Sequence, residues 1–348
     1  MNEDNHTQVA NNLIVSCSGL VLTQDEASLL SELQPWGIIL FARNIESPLQ
    51  VRRLLDDIKL ALDDDELVVL IDQEGGRVSR LPYPQWRIPP SPQVFAKLYE
   101  RDKHKALRAC FLNNLIIGCE LKSVGINVNC APMLDIPQKD AADIIHERSY
   151  GNAHSADNIQ QVIALGEQVI SGLEQAHVSA VIKHIPGHGR GRSDSHFTLP
   201  RVEASLNELE NSDFKPFLAL NHAPMAMSAH IVYEAIDSLN PGSVSKTVVK
   251  ELIRKRIGFE GLLMTDDINM QALKGSISER ARQALDAGND VVLHCSGEFE
   301  EMASLLDVAS PLSGQSKYRA AYAKQQATLP MPVFDIEAAQ AELSALLR

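Results

Sequence analysis

The sequence has few cysteines and lacks any cysteine pair of the kind that binds zinc or forms a redox motif. Its 348 residues include five cysteines, an odd number, scattered along the chain and mostly set in apolar runs. No Cys-x-x-Cys motif occurs. This pattern predicts buried free thiols in a reducing compartment and argues against a disulfide-stapled secreted protein.

Long apolar runs and an excess of positive charge are also lacking. No uninterrupted apolar stretch is long enough to span a bilayer, and residues 1–12 are polar, without the apolar core of a secretory signal. The net charge of −13 argues against nucleic acid or an anionic membrane as a partner, since both require clustered Lys and Arg. We therefore expect a cytoplasmic protein. An anionic small substrate stays open, because it needs only a local positive patch.

Short apolar, β-branched runs alternate with longer amphipathic stretches along the chain. Strands are predicted at 13–17, 37–41, 67–71, 126–132, 178–182, 224–228, 261–265 and 290–294. Helices are predicted at 25–33, 49–62, 104–123, 156–175, 205–220, 246–256, 278–287 and 298–308. Continuous apolar strands between helices indicate a parallel sheet covered on both sides.

Eight such units favour an α/β fold with a single (β/α)8 TIM-type barrel, although one missed strand would permit a doubly wound sheet. No linker or low-complexity tract divides residues 1–348, so we predict one catalytic barrel domain. The Ala-rich tail 311–348, broken by Pro330 and Pro332, predicts a C-terminal extension of one or two helices packed outside the barrel.

The most informative segment follows the fifth predicted strand. It begins Lys183-His184-Ile185-Pro186-Gly187-His188-Gly189 and continues to Asp194-Ser195-His196. A carboxylate beside an imidazole orients the ring and stabilises its cation, so His196 with Asp194 is a candidate for proton transfer near neutral pH. The alternative is a capping aspartate beside a solvated histidine. The glycines at 187, 189 and 191 predict a segment that is not helical and is able to move.

Other ionisable residues follow predicted strands in the same way. They are Asp72 and Glu74 after the third strand, Asp135 after the fourth, Lys183 and His184 after the fifth, His230 after the sixth, and Asp266 and Asp267 after the seventh. In a parallel barrel the carboxyl ends of all strands meet at one face, where active sites lie. We therefore expect these side chains to share one site.

Two of these strand ends suggest particular roles. Asp72 and Arg80 suit a polar ligand such as a sugar, because a carboxylate accepts and a guanidinium donates paired hydrogen bonds. For Arg77 an internal salt bridge is an equally good interpretation. Asp266 or Asp267 is a candidate carboxylate nucleophile, and the alternative is a helix N-cap.

Further along, Arg148 could reach over the barrel mouth or form a surface ion pair. A metal hydrolase that uses His184, His188, Asp194 and His196 is disfavoured, because their spacing matches no zinc signature and Pro186 with the glycines forbids a helical His pair. A non-catalytic sugar-binding barrel is also disfavoured, since it has no need of an Asp–His pair. We expect neither a metal nor a cofactor.

Five motifs together identify a resemblance. The segments IDQEGGRVSR, ERSYG, VIKHIPGHGRGRSDSHFTLP, MSAHIVY and LLMTDDINMQA resemble the β-N-acetylglucosaminidases of glycoside hydrolase family 3, from about Leu13 to about Cys295. The resemblance implies a (β/α)8 barrel that removes terminal β-linked N-acetylglucosamine during cytoplasmic recycling of cell-wall fragments. The implied substrates are N-acetylglucosamine–1,6-anhydro-N-acetylmuramic acid and its peptide forms, without nucleic-acid or membrane partners, and we expect a monomer.

The resemblance also assigns residues. It implies that Asp266 is the nucleophile, that His196 with Asp194 is the acid/base pair, and that six further residues bind or border the sugar. These six are Asp72, Arg80, Arg148, Lys183, His184 and Met227. The implied reaction is a retaining, two-step hydrolysis through a covalent glycosyl-enzyme. Phosphorolysis to the sugar 1-phosphate is the alternative, because a neutral histidine base repels an anionic acceptor less than a carboxylate would.

Overall fold

A computed structural model describes residues 10–139, 141, 143–191 and 199–348. In this part of the chain there are ten strands. Strands β1 to β10 span Asn11–Val15, Pro35–Leu40, Val68–Ile71, Val128–Asn129, Ser179–Ile185, Arg201–Val202, Met225–Ser228, Val232–Tyr233, Leu262–Asp267 and Val291–Leu293. All but β6 and β8 pair in parallel into one closed barrel, in the order β1-β10-β9-β7-β5-β4-β3-β2. The predicted (β/α)8 barrel is confirmed.

Helices surround this barrel and follow its strands. Helices α1 to α12 span Gln24–Leu33, Pro48–Leu62, Pro92–Arg101, Lys103–Lys122, Asp143–Arg148, Asn158–Gln175, Leu206–Asn211, Lys215–Ala219, Ile277–Ala287, Phe299–Ser304, Gly314–Ala327 and Ile336–Leu346. A π-helix occupies Thr247–Arg256, and short 3-10 turns lie at Ala42–Asn44, Gly242–Val244 and Leu305–Asp307. None of the helices in the described ranges is long and apolar enough to cross a membrane.

Local sequence explains where several of these helices begin. The Thr23 side chain accepts the Glu26 backbone N–H, and Glu26 in turn accepts the Thr23 N–H, which forms a capping box at the start of α1. The same box occurs at α7, between Ser205 and Glu208, and at α9, between Ser276 and Glu279. Such caps satisfy N–H groups that have no partner within the helix, so they fix the helix starts.

The inside of the barrel is closed at its amino-terminal end by the C-terminal tail. Ala320, Ala323 and Ala327 of α11 are buried against the side chains that fill the barrel, including Trp36 and Val68. Small alanine side chains allow the helix backbone to approach the strand ends closely. In the described residues the barrel is therefore a packed core, and its cavity opens at the carboxyl-terminal face.

Polar contacts hold the two tail helices in place. Asp290 accepts hydrogen bonds from Ser316 and Arg319 on α11. Arg108 of α4 forms a bidentate pair with Glu342 of α12, at 2.7 and 2.8 Å. The tail thus consists of two helices, and α11 packs across the barrel end rather than along its side.

Some elements differ from those predicted. All eight barrel strands lie where the apolar runs place them, within a few residues. The predicted helix 205–220 is interrupted between α7 and α8, where Phe214 packs into the core. The helices α3 and α5 and the paired strands β6 and β8 were not predicted, because the sequence before α3 is rich in proline and the two strands have only two residues each.

Candidate active site

A cavity of about 270 Å³ opens at the carboxyl-terminal face of the barrel. It is lined by Ile39, Phe41, Asp72, Arg77, Val78, Arg80, Met133, Asp135, Ile145, Arg148, Lys183, His184, His188, Met227, Asp266, Asp267, Met270, Leu293 and Cys295. Asp72 directly follows β3, Lys183 and His184 lie at the end of β5, and Asp266 and Asp267 are the last residues of β9. Glu74 and His230, which also follow predicted strands, do not line the cavity. The strand ends therefore converge on one site, as the sequence predicts.

A buried ion-pair network forms one wall of the cavity. Lys183 Nζ lies 2.7 Å from Asp72 Oδ1 and 2.6 Å from Glu74 Oε1. Glu74 also accepts two hydrogen bonds from Arg148, at 2.7 and 2.9 Å. Arg80 Nη2 lies 3.5 Å from the second oxygen of Asp72. Each buried charge in this wall has an opposite charge within reach, as burial requires.

The ionisation of this network follows from its pairing. Burial disfavours the charge on Lys183, but the carboxylates of Asp72 and Glu74 outweigh it and hold the pKa of the amine above its ordinary value. Burial likewise favours neutral carboxyls, yet Lys183 and Arg80 keep the pKa of Asp72 below its usual value. Arg148 and Lys183 lower the pKa of Glu74 in the same way. Asp72, Glu74 and Lys183 are thus charged at neutral pH, and the wall offers both donors and acceptors to a polyhydroxylated ligand.

Asp135 and His184 form a second contact at the base of the glycine-rich segment. Asp135 Oδ2 lies 2.7 Å from His184 Nδ1, and its Oδ1 accepts the His188 backbone N–H at 2.6 Å. His184 Nε2 points toward Asp266, 4.0 Å from its Oδ2. Burial lowers the pKa of His188 to about 4, which keeps its ring neutral at physiological pH.

The two aspartates at the end of β9 occupy different environments. Burial raises the pKa of Asp266, but the rings of His184 and His230, the Asp267 N–H and Lys183 outweigh it, so the pKa lies below its ordinary value. Asp266 is therefore ionised and faces the cavity. A carboxylate held in this way is a competent nucleophile toward an electrophilic carbon.

The Asp267 carboxylate accepts hydrogen bonds from nearby backbone N–H groups. Its Oδ1 accepts the N–H groups of Asn269, at 3.0 Å, and of Cys295, at 3.1 Å. Burial raises its pKa to about 6. The residues after Asp267 form a turn and not a helix, so Asp267 is not a helix N-cap. Its carboxylate joins that turn to the residues that follow β10.

Lys183 and His184 are consecutive, yet both line the cavity. Successive side chains on a regular strand point to opposite faces. In β5 the pairing with β7 shifts register between Lys183 and Ile185, and this irregularity turns both side chains inward. Because both residues lie at the end of a predicted strand, the sequence predicts them at the site. It does not predict the register shift.

The described part of the glycine-rich segment is buried and closely packed. A Cβ on Gly189 would lie 1.9 Å from the Ile136 carbonyl oxygen, so only glycine fits there. Gln138 N–H donates to the Gly189 carbonyl, and the Tyr233 hydroxyl donates to the Gly187 carbonyl. Residues 186–191 therefore pack closely beside the barrel, and the mobility that the glycines suggest for the segment stays a prediction.

The remaining candidates are placed as follows. Met227 is buried in the cavity wall, and Arg80 lies 5.6 Å from the centre of the Phe41 ring. Arg77 lines the cavity and also pairs with Glu147 at the surface, so a ligand role and a salt bridge both stay open for it. Arg148 forms a buried pair with Glu74 instead of a surface pair. Asp194 and His196 lie outside the described residues, so their role stays a prediction.

Two residues of the site were predicted at strand ends, but no role was predicted for them. Glu74 and Asp135 carry the contacts that hold Lys183, Arg148 and His184. Their position after strands was the available signal, but their partners are far away in sequence. As for metals, no group of three His, Cys, Asp or Glu side chains within the described ranges comes close enough to hold an ion.

Comparison with known proteins places this site in a family. Residues 9–324 match the glycosyl hydrolase family 3 N-terminal domain. The "Beta-hexosaminidase" of Alkalilimnicola ehrlichii is 37% identical over 287 residues, which cover 81% of this chain and 80% of the relative. The "Beta-hexosaminidase" of Chromobacterium violaceum is 34% identical over 303 residues, covering 86% and 82%.

The same relationship holds for solved structures. The crystal structure of NagZ from Neisseria gonorrhoeae, in complex with N-trifluoroacetyl-D-glucosamine, superimposes with a TM-score of 0.85 and 29% identity over 98% of this chain and 99% of that one. The family's domain therefore covers the whole barrel and every described residue of the cavity. The chain belongs to glycosyl hydrolase family 3, as a glycoside hydrolase of the β-hexosaminidase type.

Proposed function

We propose that this enzyme is a retaining β-N-acetylglucosaminidase that removes terminal β-linked N-acetylglucosamine through a covalent intermediate on Asp266. One observation carries the proposal: Asp266 presents an ionised carboxylate to a cavity at the barrel mouth, beside the fully paired charges of Lys183 and Asp72. That arrangement supports a nucleophile set beside a sugar-binding wall. Asp72, Arg80, Arg148, Lys183 and His184 supply polar contacts to the sugar, and Met227 borders it.

In the first step an Asp266 oxygen bonds to the anomeric carbon while the bond to the leaving oxygen breaks. His196, oriented by Asp194, gives its proton to that oxygen. In the second step a water attacks the same carbon, His196 takes a proton from the water, and the ester bond to Asp266 breaks. Two inversions return the original configuration.

The proposed substrates are N-acetylglucosamine–1,6-anhydro-N-acetylmuramic acid and its peptide forms. The resemblance and the hexosaminidase relatives support this class. A cytoplasmic location is supported by the five free cysteines, four of them buried. A monomer without nucleic-acid or membrane partners is part of the proposal. Phosphorolysis is not favoured, since the matched relatives are named as hexosaminidases.

The proposal is tested with His196→Ala, assayed on a nitrophenyl N-acetylglucosaminide and on the natural disaccharide. A nitrophenolate needs little protonation, so formation of the glycosyl-enzyme is spared for that substrate and badly slowed for the disaccharide. The second step lacks its base, so a glycosyl adduct on Asp266 accumulates and is visible by intact-protein mass spectrometry. Azide, which needs no deprotonation, restores turnover and gives a β-configured product.

The first anomer released by the unaltered enzyme is a second measurement. Proton NMR during rapid hydrolysis should show β-N-acetylglucosamine before mutarotation. An α product would overturn the retaining mechanism. Equal losses on both substrates, with neither adduct nor azide rescue, would remove His196 from the acid/base role. Hydrolysis of the matching glucoside at the same rate would overturn the assignment to N-acetylglucosaminides.

A further inference from the structure

The Asp135 carboxylate joins two parts of the site that are otherwise separate. It follows β4 and is 1% exposed. One of its oxygens, Oδ2, contacts the His184 ring at Nδ1, 2.7 Å away. The other, Oδ1, accepts the backbone N–H of His188 at 2.6 Å and that of His184 at 3.3 Å.

The first contact determines how His184 faces the nucleophile. An ionised carboxylate only accepts hydrogen bonds, so His184 Nδ1 carries a hydrogen, and in the neutral ring Nε2 then has a lone pair. Nε2 lies 4.0 Å from Asp266 Oδ2, which is beyond hydrogen-bond distance. Asp266 therefore accepts no hydrogen bond from His184. The hydrogen bond described for its carboxylate comes from the Asp267 N–H at 2.8 Å.

The second contact holds the start of the segment that leads to Asp194 and His196. The His188 N–H is fixed by Asp135, and the His188 carbonyl accepts the Gly191 N–H at 3.0 Å. Between them, Gly189 packs against the Ile136 backbone, one residue after Asp135. The same carboxylate thus anchors both the residue that faces Asp266 and the base of the segment that carries His196.

We propose that Asp135 is a positioning residue with two separable contacts: one orients the His184 ring so that Asp266 stays free, and the other places the segment that leads to His196. The inference rests on the proposed function, since it assumes Asp266 as nucleophile and His196 as acid/base. Asp135 itself acts through these residues and touches neither reacting atom.

Asp135→Asn isolates the first contact. Two backbone N–H groups point at Oδ1, so the amide oxygen occupies that position and the NH2 group faces His184 Nδ1. The ring must then accept at Nδ1 and carry its hydrogen on Nε2, and a shift of about 1 Å brings that N–H within hydrogen-bond distance of Asp266. A nucleophile bound in this way is less reactive, so kcat falls by about 100-fold. The fall is the same for a nitrophenyl glycoside and for the disaccharide.

Asp135→Ala removes both contacts. In this variant kcat falls further than in Asp135→Asn. For the disaccharide it falls by about tenfold more than for the nitrophenyl glycoside, because the proposed proton donation from His196 is impaired. Asp290→Asn is the matched control. Asp290 is also buried and accepts a backbone N–H, from Leu263, but it lies at the opposite end of the barrel. This control is expected to lower stability while it leaves kcat and the ratio between substrates unchanged.

Nitrogen-15 NMR of histidine-labelled protein at pH 8 reads the tautomer directly, with His184 assigned by the signal lost in His184→Gln. We expect Nδ1–H in the unaltered protein and Nε2–H in Asp135→Asn. An Nε2–H tautomer in the unaltered protein overturns the inference even if the variants do not fold. Unchanged kcat in Asp135→Asn, or a loss that depends on the leaving group as in Asp135→Ala, also overturns it. If the unaltered enzyme hydrolyses no N-acetylglucosaminide, the proposed function fails, and the tautomer still tests the role of Asp135.

Discussion

At the scale of single residues, the two neighbouring aspartates of β9 have different environments and should respond differently to substitution. Asp266→Ala removes the proposed nucleophile and should lower kcat by about 10³–10⁴-fold. Asp267→Ala removes only acceptors for the Asn269 and Cys295 N–H groups, and we expect a loss of about tenfold. Steady-state kinetics, with circular dichroism to check folding, measures both. An active Asp266→Ala and an inactive Asp267→Ala would reverse the assignment.

Asp267 also predicts a pH dependence of stability. Burial raises its pKa from the ordinary value of an aspartate to about 6 in the folded protein, so the folded state binds the proton more tightly than the unfolded chain does. The contribution of Asp267 to the free energy of unfolding is therefore largest below about pH 4 and is lost as the pH rises to about 6. Asp267→Asn keeps an acceptor oxygen and cannot ionise.

The difference between the two proteins isolates this contribution. In urea unfolding from pH 4 to pH 7, the stability of Asp267→Asn relative to the unaltered protein should increase with pH across this window and then level off. A constant difference would mean that Asp267 titrates alike in the folded and unfolded states.

The sequence predicts which residues meet at this site but not how they contact one another. Asp72, Lys183, His184 and Asp266 are found at strand ends, because a parallel barrel brings these ends to one face. The role of Glu74 was not predictable, since its partners Lys183 and Arg148 lie 109 and 74 residues further along the chain. Charge pairing over such separations depends on the folded geometry, which no local pattern contains.

At the scale of elements, the segment after β5 depends on a close backbone approach at Gly189. Gly189→Ala would place a methyl group against the Ile136 carbonyl, so residues 186–191 must shift and the Gln138 contact is lost. We expect a loss of about 1–3 kcal/mol in the free energy of unfolding and a fall in kcat of about tenfold or more. Gly19→Ala, where nothing lies within 4 Å of the added Cβ, is the control. Unchanged kcat in Gly189→Ala would show that catalysis is indifferent to this packing.

The elements that were predicted and those that were missed differ in length and in chain chemistry. The barrel strands are visible as apolar, β-branched runs such as 67–71, because both of their faces are buried. Helix α3 begins with Pro92 after a proline-rich stretch, so the sequence signals a loop where the chain in fact starts a helix. Proline at the first turn of a helix is compatible with either outcome.

At the scale of the whole molecule, α11 closes the barrel and should contribute to its stability independently of catalysis. Ala323 is fully buried against the barrel interior, whereas Ala321 on the same helix is exposed. Ala323→Glu buries an unpaired charge and should lower the free energy of unfolding by about 3 kcal/mol or more. Ala321→Glu should have almost no effect. Urea unfolding measures both, and equal stabilities would mean that α11 does not seal the barrel.

In the described part of the chain the barrel interior is filled at one end, so the cavity is reached through the carboxyl-terminal opening. With the interior below the cavity filled by packed side chains and α11, the departing aglycone and the incoming water must use the same opening in turn. In the proposed two-step reaction the aglycone leaves first, and the sugar bound to Asp266 leaves last. Free N-acetylglucosamine should therefore compete directly with substrate, whereas the aglycone should inhibit without competing.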